Sequence, residues 1–230
     1  MQKAYCNNLL EVACFNIESC ILAQEAGADR IEFCSDYSVG GLTPSYEDII
    51  KVKEKLHIPL HVIIRPHSKN FSYSQEDISV MKAAVLFCKN HHIDGVVFGV
   101  LDNNQKISIE INKELIELAG TMSTTFHRAI DESENIENGI QDLISLGFKR
   151  VLTSGGKQNA LEGIEILKKL QEKFGQQIII IPGGGIRSST IEQIIKQTNC
   201  IEYHTAAITD FSEKVNPDEI KKLKELLRNK

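Results

Sequence analysis

Carboxylate, imidazole and guanidinium side chains recur inside short apolar segments of this sequence, where a buried strand would normally hold Val, Ile or Leu. The residues concerned are Glu11, Glu32, His61, Arg65, His127, Glu202 and His204. Burying charged groups is unfavourable unless they are paired or used. The set could supply general acids and bases, bind a hard metal ion, or do both. A purely structural set of internal ion pairs is the alternative.

The alternation of side chains along each segment predicts which of these groups share a face. In Leu9–Ala13, the apolar neighbours of Glu11 suit a face covered by helices, so Glu11 points to the opposite face. The same reasoning places Glu32, His61 and Arg65 on that opposite face. Glu202 and His204 share one face of the last segment, and we expect Glu202 to face the interior with the others. We therefore expect these groups to converge if their strands are neighbours.

Two glycine-containing segments predict an anion site. The longer segment follows an apolar run and contains Gly183, Gly184 and Gly185. With Ser188 as the N-cap of the next helix, its amides would be free to bind a phosphate or carboxylate. Thr153 and Ser154 form a second loop rich in hydrogen-bond donors, which we assign to the same site. Glycines that merely permit a tight turn are the simpler explanation.

Two cysteines are candidate metal ligands. Cys34 ends the second apolar segment and Cys14 follows the first, so their thiolates could approach each other and bind Cu(I). Strand parity argues against the pair, because it points Cys14 away from the face that holds Cys34. A cysteine can also be a small buried apolar residue without any ligand role.

The elements that must position these residues alternate between strands and amphipathic helices along the whole chain. The predicted strands are Leu9–Ala13, Arg30–Cys34, Pro59–Arg65, Gly95–Gly99, Thr121–His127, Arg150–Thr153, Gln177–Ile181 and Ile201–His204. About eight βα units, with the unusual residues in the loops after the strands, predict a single (β/α)8 barrel of the TIM type over residues 1–230. A doubly wound open sheet is the alternative.

Composition narrows the functional classes. Lys and Arg number 26 and Asp and Glu 31, so the formal net charge is −5. This balance argues against nucleic-acid binding, which needs a basic surface. No apolar run approaches the roughly 20 residues of a membrane-spanning helix. Residues 1–6 lack the apolar core of a signal peptide, and the scattered cysteines suit a reducing compartment. We expect a cytoplasmic protein.

Several longer segments resemble those of the CutC family, whose members are called copper homeostasis proteins. The segments include Ala26-Gly27-Ala28-Asp29-Arg30-Ile31-Glu32-Phe33-Cys34, Gly40-Gly41-Leu42-Thr43-Pro44-Ser45, Thr125-Phe126-His127-Arg128-Ala129 and Pro182-Gly183-Gly184-Gly185. The resemblance runs in order from about Leu9 to Ala207. It implies a TIM-like barrel, a cytoplasmic location, a homo-oligomer and a role in copper handling.

The sequence departs from the family pattern at two places. Many members carry a cysteine where this chain has Ala13. The family segment Arg-Pro-Arg-Gly-Gly-Asp-Phe corresponds here to residues 65–71, which have lost an arginine, both glycines and the aspartate. A copper site that needs the first cysteine, or a ligand loop that needs the aspartate, is therefore in question.

Three functional hypotheses follow. The first is copper binding through Cys14 and Cys34. The second is an enzyme that holds a small anionic metabolite with Arg65 and the glycine loop, and that moves protons or binds a divalent metal with the Glu and His set. The third is a scaffold without catalytic activity, whose internal charges are structural. The sequence leaves open which of them holds, and it names no substrate or reaction.

Overall fold

The computed structural model describes residues 8–228. Residues 1–6, on which the signal-peptide expectation rests, lie outside this range. In the described part of the chain, no helix combines the length and the apolar character needed to cross a membrane.

Short strands, each followed by a helix, build the fold between residues 8 and 228. The strands are β1 (Leu9–Cys14), β2 (Arg30–Phe33), β3 (Leu60–Ile63), β4 (Gly95–Phe98), β5 (Ser123–Phe126), β6 (Arg150–Thr153), β7 (Ile179–Pro182) and β8 (Glu202–Thr205). The helices are α1 (Ile17–Glu25), α2 (Tyr46–Lys55), α3 (Gln75–Asn90), α4 (Ile109–Ala119), α5 (Ile136–Leu146), α6 (Ile164–Phe174), α7 (Ile191–Thr198) and α8 (Pro217–Arg228). Every predicted strand is present, with ends that differ by at most two residues.

The strands form one parallel sheet that curls into a barrel. The ladder runs in the order β7-β6-β5-β4-β3-β2-β1-β8, and every pair in it is parallel. β7 and β8 are also neighbours, although this ladder does not join them. The barrel is therefore nearly closed, and the predicted TIM-like fold is confirmed.

Local sequence signals explain where several helices begin. Asn16 caps α1 by accepting a hydrogen bond from the amide of Ser19. Ser74 and Asp77 form a capping box at the start of α3. The expectation for α7 is wrong: the helix starts at Ile191 rather than just after Ser188. Glu219 of α8 holds Ser188 in the preceding loop by accepting hydrogen bonds from it.

A buried ion-pair network fills the barrel at the amino ends of its strands. The Arg30 guanidinium donates to Glu11 (Nε to Oε2, 2.5 Å) and to Glu202 (Nη2 to Oε2, 2.6 Å). Arg150 donates to the same oxygen of Glu202 at 2.8 Å and also contacts Ser123. Because β2, β6 and β8 contribute these groups, their side chains must meet inside the barrel. Glu11 and Glu202 thus face the interior, as strand parity predicts.

Removing Arg30 should test how much the barrel depends on this network. Arg30→Met leaves two buried carboxylates with fewer partners, and we expect the free energy of unfolding to fall by about 3–5 kcal/mol. Urea denaturation measures the change. The matched control is Lys51→Met, which breaks an ion pair with Glu47 whose side chains are 47% and 77% exposed. That loss should be much smaller, because an exposed ion pair contributes little to stability. Equal losses in the two variants would contradict a structural role for the network.

Candidate functional site

A cavity of about 340 Å³ opens at the carboxyl ends of the strands. Among the predicted site residues it is lined by Glu32, Arg65, His127, His204, Gly184 and Gly185. Arg128 and Arg187 also line it. We call this space the mouth cavity. A larger open groove of about 650 Å³ lies elsewhere, beside the start of α5, and none of the predicted site residues lines it.

His204 links two carboxylates beneath the mouth cavity. Its Nδ1 lies 2.7 Å from Glu11 Oε1, and its Nε2 lies 3.7 Å from Glu32 Oε2. Burial opposes protonation of His204, but Glu32 and Glu11 outweigh it and raise the pKa of His204 above its ordinary value. In the protonated form favoured by this shift, each ring nitrogen carries a proton and faces a carboxylate oxygen. The imidazolium connects the buried network to the cavity.

The two carboxylates beside His204 differ in their electrostatics. Burial alone would raise the pKa of Glu11, but Arg30 and His204 together hold that pKa well below its usual value. Burial and the neighbouring Glu11 charge raise the pKa of Glu32, despite the opposing effect of His204. Glu11 is therefore a permanent anion, whereas Glu32 is suited to exchange a proton. Glu32 is the one of the two that lines the cavity.

Glu11, Glu32 and His204 also form a potential metal-ligand set, since one ligand atom from each lies within 4.8 Å of the others. Arg30 and His204 both contact Glu11 already. A cation bound there would compete with them for this carboxylate and would need a deprotonated nitrogen on His204.

His61 lies in the barrel interior below the cavity. Its Nδ1 is 3.7 Å from Glu11 Oε2 and has no hydrogen-bond partner among the described residues. Burial lowers the pKa of His61 to about 3 even though Glu11 opposes the shift, so the ring is neutral. Its space depends on Gly95, where a Cβ atom would lie 2.4 Å from His61 Cδ2. The structure thus assigns His61 to the packed interior rather than to the cavity wall.

His127 stands at the end of β5 and faces the mouth cavity. Its Nδ1 accepts a hydrogen bond from the amide of Ala129 at 3.2 Å, while its buried Nε2 has no partner within residues 8–228. Burial, reinforced by the charge of Arg65, lowers the pKa of His127 to about 3. The ring is therefore neutral, with its proton on Nε2.

Two arginines bring positive charge to the cavity wall without a carboxylate partner. Arg65 donates to the carbonyl oxygens of Val39 and Gly41, each at 2.9 Å. Arg187 donates to the carbonyls of Ile186 and Ile208, each at 2.8 Å. Neither forms an ion pair with any residue in the described range 8–228. A buried or half-buried guanidinium without a counter-charge is the feature expected of an anion site.

Arg128 also lies beside the glycine loop. Its Nε donates to Asp131 at 2.9 Å and its Nη2 donates to Ser154 Oγ at 2.8 Å. Its Nη1 faces Gly184, where a Cβ atom would lie 3.1 Å from that nitrogen. Gly184 has a positive φ of 88°, so a larger residue would be strained as well as crowded.

The predicted donor loop of Thr153 and Ser154 is already occupied by a carboxylate of the protein. Asp131 accepts hydrogen bonds from Thr153 Oγ1 at 2.5 Å, from the Ser154 amide at 3.0 Å and from the Gly156 amide at 2.9 Å. The loop therefore does bind an anion, but an internal one. None of these three donors is left for a ligand.

A second internal carboxylate lies at the start of the α7 segment. Glu219 of α8 accepts hydrogen bonds from the Ser188 amide at 2.6 Å and from Ser188 Oγ at 2.8 Å. The Gly183 amide is also used, because it donates to the Thr153 carbonyl at 3.0 Å. The amides of Gly184 and Gly185 have no acceptor within residues 8–228, and both residues line the cavity. The predicted anion loop is thus reduced to these two amides.

The structure separates the two candidate copper ligands. Cys14 pairs in register with Phe33, and both belong to the apolar layer between sheet and helices. Cys34 is the next residue after Phe33, so its side chain faces the other way, where its Sγ lies 3.4 Å from Glu32 Oε2. Burial raises the pKa of both thiols well above the usual value. A two-thiolate Cu(I) site does not fit this arrangement.

Sequence reasoning missed three important arginines. Arg30 has the same strand parity as Glu32, which was sufficient to place it inside the barrel. Arg128 directly follows His127, within a segment that the family resemblance includes, and Arg187 stands two residues after the glycine loop. Their signal was the position of a basic residue close behind a predicted site element.

Comparisons with known proteins agree with the fold and identify the family. The family model described as CutC family matches residues 8–209. The chain belongs to the CutC family. A CutC protein of Xylella fastidiosa is 41% identical over 198 residues, 86% of this chain and 74% of that protein. The human copper homeostasis protein cutC homolog is 40% identical, over 86% and 73%.

Solved structures support the CutC assignment. The crystal structure of CutC from Streptococcus agalactiae has a TM-score of 0.82 and 30% identity, covering 88% of this chain and all of that one. Phosphoribosyl anthranilate isomerase from Thermotoga maritima has a TM-score of 0.64 at 13% identity and covers 97% of this chain. The second match shows a shared barrel fold alone. The first supports CutC membership.

The charge on His204 should be visible in the pH dependence of stability. A group whose folded-state pKa is raised stabilises the fold fully below its ordinary value of 6.5, and this stabilisation is lost as the pH rises through the folded-state pKa. We expect the stability advantage of the wild type over His204→Gln to shrink as the pH rises above 6.5. Urea denaturation across that range tests it, with exposed His57→Gln as control. Parallel curves for wild type and His204→Gln would contradict the assignment.

Proposed function

We propose that this CutC protein takes part in copper homeostasis, the role stated in the name of its human relative. We further propose that its molecular activity is to bind a small anionic molecule in the mouth cavity and to transfer protons on it. A cytoplasmic location and a homo-oligomeric state belong to the same proposal. No disulfide joins the cysteines of the described residues, which supports a reducing compartment.

The observation that carries the proposal is the unbalanced positive charge of the cavity wall. Arg65 and Arg187 line the cavity without an ion-pair partner in the range 8–228. The unpaired amides of Gly184 and Gly185 line the same cavity. A phosphate or carboxylate placed there would receive charge-assisted hydrogen bonds from guanidinium and backbone groups together.

Glu32 is the group best suited to proton transfer. It lines the cavity, burial raises its pKa, and His204 lies 3.7 Å away to stabilise its charged form. A carboxyl group with a pKa raised toward neutrality can accept a proton from a substrate and return it. We assign no such role to Glu11, Glu202 or His61, because none of them lines the cavity.

An anion panel tests the binding part of the proposal. Phosphate, sugar phosphates and dicarboxylates at millimolar concentration should raise the Tm, because a ligand that binds only the native state stabilises it. A ligand at about ten times its Kd contributes about 1.4 kcal/mol, which corresponds to roughly 3–6 °C in Tm.

Two variants and a control locate the site. Arg187→Met removes an unpaired charge and Gly184→Val blocks the approach of a ligand to the backbone, so each should abolish the ligand-induced shift. Lys169→Met removes a charge from the exposed face of α6 and should leave the shift unchanged. A panel without any effect on the Tm would favour the scaffold hypothesis, as would a shift that survives both site variants.

Copper binding by a cysteine pair gives a separate prediction. Because Cys14 and Cys34 face opposite sides of the sheet, Cys14→Ser should change the Cu(I) affinity by less than about twofold. Titration against a competing Cu(I) chelator measures this, with Cys88→Ser as a buried control on α3. A loss of about tenfold or more in both Cys14→Ser and Cys34→Ser, with Cys88→Ser unaffected, would reinstate the two-thiolate site.

A further inference from the structure

We propose that His127 donates a hydrogen bond to a carbonyl oxygen of the substrate, so that the molecule bound in the mouth cavity is a carbonyl compound that also carries the anionic group. This inference rests on the proposed anion site and names the class of its substrate.

The hydrogen bonding of His127 fixes which atom can act as the donor. The Ala129 amide donates to Nδ1 at 3.2 Å, so Nδ1 carries a lone pair and the ring proton is on Nε2. The Nε2 atom is buried and has no partner within residues 8–228, although the residue is only 4% exposed and lines the cavity. A buried donor without an acceptor is rare in a folded protein and indicates a position prepared for a ligand.

Packing holds the imidazole in this orientation. At Gly99 a Cβ atom would lie 2.8 Å from both Cε1 and Nδ1 of His127. The ring therefore fills the space that the side chain of any residue other than glycine at position 99 would need. The ring of Phe71 packs against it at a centroid distance of 4.9 Å, and that of Phe126 at 5.9 Å. The donor is therefore preorganised and need not move when a ligand binds.

The neutral state of His127 suits it to a carbonyl rather than to a permanent anion. Burial and Arg65 keep its pKa at about 3, so the ring donates a proton in a hydrogen bond without carrying charge. The permanent negative charge of the ligand is met by Arg65, Arg187 and the glycine amides. A neutral donor interacts most favourably with an oxygen that gains negative charge during the reaction.

Together with Glu32 this arrangement supports enolisation. The Glu32 carboxylate removes a proton from the carbon next to the carbonyl, the C–H electron pair forms a carbon–carbon double bond, and the carbonyl π pair moves onto oxygen. His127 Nε2–H donates to that oxygen throughout. Returning the proton from Glu32 reverses these steps, so that atoms and charge balance without another reactant.

Matched ligand pairs test the donor role. Dihydroxyacetone phosphate and glycerol 3-phosphate share a phosphate and differ by a carbonyl against a hydroxyl, and oxaloacetate and malate form the equivalent carboxylate pair. In at least one of the two pairs, calorimetry should show that the wild type binds the carbonyl compound about three- to tenfold more tightly than its hydroxyl counterpart. Infrared difference spectra with a ¹³C-labelled carbonyl should show its stretching band at lower frequency in the complex.

Two substitutions at one position separate donation from local structure. In His127→Asn the side-chain oxygen keeps the acceptor of the Ala129 amide but the donor is lost, so the carbonyl preference and the band shift should disappear. In His127→Gln the amide nitrogen reaches the Nε2 position, so both effects should be retained in part. The affinity for glycerol 3-phosphate or malate should change by less than about twofold in either variant.

The outcomes distinguish this inference from the function on which it rests. Binding of these anions without a carbonyl preference or band shift, or effects that survive in His127→Asn, would overturn the donor role and leave the anion site intact. Failure of the folded wild type to bind any of the four compounds would count against the anion site itself, and the donor role would fall with it.

Discussion

The Arg30 guanidinium pairs with two buried carboxylates, Glu11 and Glu202, at the amino end of the barrel. Without it, both carboxylates would lose a charged partner in a region shielded from water, which is strongly destabilising. With Glu11 held as an anion, His204 can carry a proton next to it. His204 in turn lies beside Glu32, which faces the cavity. The charges of the groups that face the cavity thus depend on an ion pair that does not itself line the cavity.

The glycine-rich loops around the mouth illustrate a second constraint. Each loop exposes amides, and the protein satisfies most of them internally: Asp131 binds the Thr153–Gly156 segment and Glu219 binds Ser188. These carboxylates fix the loops without any ligand. The amides of Gly184 and Gly185 are left, together with Arg65 and Arg187, as the donors that a ligand can use. Because most loop donors are already occupied, only these few groups remain to bind an anion in the cavity.

Strand parity predicted much of this architecture, because in a parallel barrel alternate residues must face the interior. It correctly placed Glu11, Glu32, His61 and Glu202 there. It could not show which of them would reach the cavity, because height within the barrel depends on the register between strands. Leu9 pairs with Glu202, whereas Ala13 pairs with Glu32. Glu202 therefore lies at the far end of the barrel from the mouth, although it shares a face with Glu32.

The occupied anion loops escaped prediction for a different reason. Asp131 lies in a short 3₁₀ turn after β5, and Glu219 in the first turn of α8, both distant in sequence from the groups that they bind. No periodic pattern links an acidic residue to amides that meet it only in the folded barrel. The same holds for Arg128, whose Nη1 approaches Gly184 from another loop. Local sequence predicts donors well, but only the fold determines which donors remain unused.

The unused donors of the cavity are of two kinds. The arginines suit the fixed negative charge of a ligand, and the neutral His127 suits an oxygen that gains negative charge during a reaction. Guanidinium groups, which remain charged at every relevant pH, lie where a ligand's fixed anion can bind. The neutral His127 and the proton-exchanging Glu32 line the same cavity without an arginine partner of their own. A site that only held an anion would gain little from a neutral buried donor, since each arginine binds an anion more strongly. A neutral donor beside Arg65 suits an oxygen that gains charge during a reaction, as the proposed enolisation requires.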